Sequence, residues 1–182
     1  MISTLIATNP DSSDVATMEF TSGIDSTYDD YMFVLTDIHP ETANQFLFVQ
    51  FNESGETGYN ENMTTTVHAL NSQEAGTDAT GMLYIASQDQ VNGTDYQYLS
   101  LIVSADADES TSGILHLFNP ASTTYNATFY SRMGNDFDTD GTKYYESGYM
   151  SGFIHNAAAI DEISFKFGSG NMNGTIQMYG IA

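Results

Sequence analysis

The stretch "NDFDTDGTKYYES" holds the side chains best spaced for chemistry in this chain. Asp136, Asp138 and Asp140 alternate, and Gly141 follows them. These are positions 1, 3, 5 and 6 of a calcium-binding loop, in which carboxylates converge on one hard cation while glycine makes the bend. The match then stops. Position 12, where a bidentate glutamate belongs, is Ser147, with Glu146 one place early, and no helical periodicity flanks the loop. Two readings follow: a calcium site on Asp136, Asp138 and Asp140, or an acidic, solvated turn. "SADADES", with Asp106, Asp108 and Glu109, repeats the question in the form of an ordinary acidic hairpin loop.

Other chemistry is thin. His39, His68, His116 and His155 are widely separated in sequence, so a metal cluster would need long-range convergence. His116 lies inside "ILHLF" and reads as a hydrogen-bonded core or interface residue. Without cysteine, thiolate metal sites, disulfides and cysteine nucleophiles are excluded. No G-x-S-x-G elbow, H-E-x-x-H helix or phosphate-cradling loop is present. The 24 acids supply many accidental carboxylate pairs, so a glycosidase pair cannot be singled out. The expectation is no enzyme, and no cofactor other than calcium.

Charge narrows the partners. Those acids face three bases, Arg132, Lys143 and Lys166, for a net charge of −21. Nucleic acid is excluded because phosphate contacts need several Lys or Arg to displace counterions, and an anionic membrane surface is excluded for the same reason. The start, "MISTLIATNPDSSD", has no basic segment and an apolar run only at residues 5–7, so it is not read as a secretory signal. No stretch approaches the roughly 20 apolar residues of a membrane-spanning helix.

The elements that must position these residues read as strands. Runs rich in Val, Ile, Phe, Tyr and Thr recur, each closed by Gly, Asn, Asp or Ser. They predict strands near 15–21, 30–38, 45–52, 63–70, 82–87, 96–104, 113–119, 125–132, 143–154, 160–167 and 174–181. In "ISFKF", Ile163, Phe165 and Phe167 should face inward while Ser164 and Lys166 face water. "QFLFVQF" is apolar on both faces, as a strand covered on both sides would be. "GSGNMNG" is read as the turn before the last strand, with an Asn-Gly pair that tolerates positive φ. The expected core is Phe33, Leu35, Phe48, Leu115, Leu117, Phe165 and Phe167. The expected fold is all-β: one antiparallel β-sandwich domain over 1–182, jelly-roll-like, with 1–12 as an N-terminal arm.

Four stretches carry a resemblance. "FTSGIDSTYDDYMFVLTDIHP" (20–40), "DESTSGILHLFNPASTTYNATFYSR" (108–132), "ESGYMSG" (146–152) and "IDEISFKFGSGNMNGTIQMYGI" (160–181) resemble a family of small β-sandwich virion proteins of aquatic tailed phages. Segment 53–95 lies outside the resemblance. In the first stretch, Gly23 permits a sharp turn, Asp25 and Ser26 can bond nearby backbone, and Tyr31, Phe33 and Leu35 share a face. That stretch reads as a corner between strands rather than a ligand site.

The resemblance implies a structural module of capsid decoration or fibre type, without catalytic residues to carry over. The expected role is a capsid decoration (cement) protein docking on the assembled head lattice of the virion. Its partner would be the major capsid protein or another virion protein. Strand-like sequence fills the chain and leaves no room for a shaft, so attachment as a homotrimer is expected. The alternative is the receptor-binding head module of a tail fibre or spike, gripping a host glycan through exposed tyrosines.

Overall fold

A computed structural model describes residues 2–9, 14–74, 76, 81–139 and 141–182. Among these, thirteen strands form two antiparallel sheets, with a single 3-10 turn over Ala86–Gln88. In chain order they are β1 Ser3–Asn9, β2 Met18–Phe20, β3 Asp30–Pro40, β4 Gln45–Glu53 and β5 Met63–Gln73. Then come β6 Leu83–Tyr84, β7 Val91–Gly93, β8 Gln97–Val103 and β9 Thr111–Phe118. The last four are β10 Thr128–Thr139, β11 Thr142–Ile154, β12 Ile160–Phe167 and β13 Met172–Ile181. The large sheet runs β1-β13-β3-β9-β10-β11-β5-β6, with β7 also on β5; the small sheet runs β2-β12-β4-β8.

This order is a jelly roll with two additions. Leave out β5 to β7 and the β10–β11 hairpin, and eight strands remain. The first then pairs the last, working inward: β1 with β13, β2 with β12, β3 with β9, β4 with β8. Successive pairs fall on opposite sheets, as an antiparallel ribbon wound into two Greek keys requires. Both additions extend the large sheet beyond β9.

The core lies between the sheets. Phe33, Leu35, Leu115, Leu117, Phe165 and Phe167 are all buried there, as alternation predicts. Phe33 sits 5.5 Å from Phe20 and 5.8 Å from Phe165, ring centre to ring centre, and Phe51 meets Phe129 at 4.9 Å.

Several expectations are corrected. Residues 3–9 are not a free arm but strand β1, paired with β13 from Ser3↔Ile181 to Asn9↔Ile176. Phe48 is only half-buried: on β4, Leu47, Val49 and Phe51 point inward, whereas Phe46 and Phe48 lie on the opposite face. Ser164 is fully buried rather than solvated, because Tyr96 covers it and donates its hydroxyl at 3.1 Å. The Asn173-Gly174 pair is no turn. It lies inside β13, where Gly174 at φ +123 makes a bulge against β3. The expected strand at 82–87 shortens to two residues before the 3-10 turn.

Candidate functional site

Asp136 and Asp138 lie on β10, which pairs with β11 without a break up to Thr139↔Thr142. Asp140 lies outside the described residues. Gly141 takes φ +77, and its N–H donates to Asp138 Oδ1 at 2.7 Å. A D-G pair between antiparallel strands is also the strongest local signal for a tight hairpin. Asp138 and Gly141 therefore flank the tip of the β10–β11 hairpin, where the ladder ends at Thr139↔Thr142. Asp136 Oδ1 accepts the Ser110 N–H at 3.3 Å, and Lys143 bridges to Asp108 at 2.7 Å. Among the described residues, no three His, Asp or Glu are arranged to hold a metal ion.

Beside this tip Glu109 is 2 % exposed, and neither carboxylate oxygen makes a hydrogen bond of regular geometry. Burial pushes its pKa up and the Asp106 and Asp136 charges push the same way, while Ser104 and the Asp138 backbone oppose them. Further along the hairpin, Glu146 faces inward on β11 at 3 % exposure. Burial pushes its pKa up to about 7, against the Asn71 side chain, whose amide nitrogen, turned toward it, donates to Oε2 at 2.8 Å.

The corner at 20–30 is as expected. Asp25 Oδ1 accepts the Thr27 N–H at 2.7 Å and the Tyr31 hydroxyl lies 2.9 Å away. These hydrogen bonds hold the Asp25 carboxyl below the usual carboxylate range. His116 is not in the core. It sits on the outward face of the large sheet, 2.9 Å from Asp30, and stacks on Tyr130 at 5.0 Å and Phe118 at 5.7 Å.

A cleft of about 570 Å³ opens on the outward face of the small sheet. Its floor is Phe48 of β4 and Tyr98 of β8, directly paired across the ladder with ring centres 4.7 Å apart. Tyr96 and Lys166 continue it, the ammonium lying 3.9 Å from the Tyr96 ring centre. Residues 87–90 and 94–95 form the wall. Buried amides pin that wall: Gln50 Nε2 lies 3.0 Å from Thr94 O and 3.2 Å from Asp95 O, and Gln97 Nε2 donates to Gln88 O at 3.1 Å. Asp89 is spent on structure, accepting the Val67 N–H at 2.9 Å and the Tyr84 hydroxyl.

Other polar groups in the cleft are uncommitted. Among the described residues, the side chains of Ser87, Thr94 and Asp95 have no hydrogen-bond partner, and Lys166 has no carboxylate partner. Gln88 Oε1 is also unpartnered, just beneath the surface.

Sequence reasoning missed this cleft. Its signal was the outward apolar pair of "QFLFVQF" beside Tyr96-x-Tyr98, read there as a strand covered on both sides. Comparison with protein-family models, curated proteins and solved structures gives no match, so the chain's own geometry carries the functional reading.

Proposed function

We propose that this chain is a non-catalytic virion structural protein, a decoration subunit that docks as a homotrimer on the assembled head lattice. The observation that carries this reading is the outward face of the large sheet. It presents Tyr130, Tyr145, Tyr149, Phe118, Ile114 and Arg132 across β9, β10 and β11, with Arg132 5.7 Å from the Tyr149 ring centre. Tyr130 and Tyr145 are 40% and 56% exposed. At ~4.8 Å between strands and ~3.3 Å per residue, about eight residues along each of these three strands span roughly 380 Å². That is about half of the ~800 Å² each partner gives to a stable interface, so neighbouring strands of the same sheet would have to share in the contact. Aromatic residues and arginine are the types enriched at such contacts. Three stretches of the virion-protein resemblance (20–40, 108–132 and 146–152) contribute β3, β9 and parts of β10 and β11 to this sheet, and 160–181 supplies β12 and β13.

Quantitative mass spectrometry of purified virions tests the role. A copy number comparable with the major capsid protein is expected, and one comparable with the tail proteins would reject it. The cleft favours a second reading, a receptor-binding head module of a tail fibre, because its wall comes from residues 87–95 in the segment outside the resemblance.

A further inference from the structure

We infer that the cleft over β4 and β8 is a saccharide-binding site that takes a neutral pyranose unit. Phe48 and Tyr98 provide its aromatic floor, and Ser87, Thr94, Asp95 and Lys166 its polar rim. The inference holds whether the chain sits on the head or the tail, since it rests on the cleft alone.

A pyranose has an apolar C–H face and a fringe of hydroxyls that each donate and accept. The C–H face packs on aromatic rings, whose faces carry partial negative charge. The fringe needs a mixed set of partners, and the rim supplies one: an acceptor in Asp95, a donor in Lys166, and groups of both kinds in Ser87 and Thr94. A purely apolar ligand would leave these four groups without partners. A polyanion would meet Asp95, Asp89 and a net charge of −21.

The volume, about 570 Å³, falls within the range of small-ligand sites and suits one or two sugar rings. Gln50 and Gln97 already hold the wall in place, so little ordering cost remains for binding. The ammonium of Lys166 is held over Tyr96 by its attraction to the ring rather than neutralised by an acid.

The test applies the full chain to a printed array of bacterial surface glycans, followed by saturation-transfer NMR with the component monosaccharides. Glycans ending in neutral pyranoses should bind, with transfer to the ring protons. Tyr98→Ala and Asp95→Ala should each weaken binding at least tenfold, whereas Tyr125→Ala, exposed outside the cleft, should leave it unchanged. Asp95 is exposed, so its variant keeps the fold, and near-UV circular dichroism verifies this for both cleft variants. Silence across the array, binding confined to acidic sugars, or binding that survives both cleft substitutions would each overturn the assignment. None of these outcomes bears on virion copy number.

Discussion

Glu146 shows how one residue changes meaning between sequence and structure. Along the chain it is the misplaced twelfth ligand of a calcium loop; in the fold it is an inward carboxyl with a pKa of about 7. The unfolded chain ionises this group near 4.5, so the folded state holds its proton more tightly between those values. Folding stability is therefore unaffected by Glu146 below about pH 4.5, falls as pH rises to 7, and stays reduced above it. The full difference corresponds to at most roughly 3 kcal/mol, less where water reaches the carboxyl. Glu146→Gln removes the charge and keeps an acceptor for Asn71. Urea unfolding should show the variant more stable by on the order of 2–3 kcal/mol at pH 8 and equal to the parent at pH 4. A difference independent of pH would show that packing rather than ionisation is responsible.

Among the elements, β4 and β12 offer a direct comparison of the two sides of the small sheet. Phe165 is fully buried between the sheets, so Phe165→Ala should cost about 3–5 kcal/mol. Phe48 lies half-buried on the outward face, and Phe48→Ala should cost less than half as much by the same chemical denaturation. The β10–β11 hairpin carries the calcium question. If Asp136 and Asp138 bind the ion together with Asp140, millimolar calcium should raise the melting temperature more than magnesium at matched ionic strength. Asp138→Asn keeps an oxygen for the Gly141 N–H and should abolish the calcium-specific part. Equal shifts in parent and variant would leave a hairpin tip alone. At the sheet's end, β1 covers the edge of β13. Deleting residues 1–9 should lower the melting temperature and promote aggregation through the uncovered edge. An unchanged melting temperature would mean that β1 contributes nothing to the sheet's stability.

At the scale of the whole molecule, charge dominates. Against a net charge of −21, the Lys or Arg ion pair among the described residues is Lys143–Asp108. Most acids therefore repel one another across the surface, which opposes the compact state. Raising sodium chloride from about 20 mM to about 0.5 M shortens the screening length several-fold and should raise the melting temperature steadily. A flat response would mean that the acids are too far apart to couple. Such a surface also disfavours polyanions over its whole extent, while Arg132 and Lys166 stand on opposite outward faces, one on the tyrosine-rich face of the large sheet and one in the cleft.

The sequence by itself determined the all-β class, most strand positions and the inward residues Phe33, Leu35, Leu115, Leu117, Phe165 and Phe167. These follow from a period of two, which is set by the backbone of each strand alone. It also showed the Asp25 corner, whose hydrogen bonds span six residues or fewer. Tertiary structure decided what depends on partners far along the chain. β1 looks like a loose arm until β13, more than 160 residues later, pairs with it. Gly174 looks like a turn until β3 demands a bulge. The outward side of β4 looks like a second core face until residues 87–95 cover only part of it and leave a cleft. Alternation says which side chains share a face, but what covers that face is set by packing between segments that the local pattern does not encode.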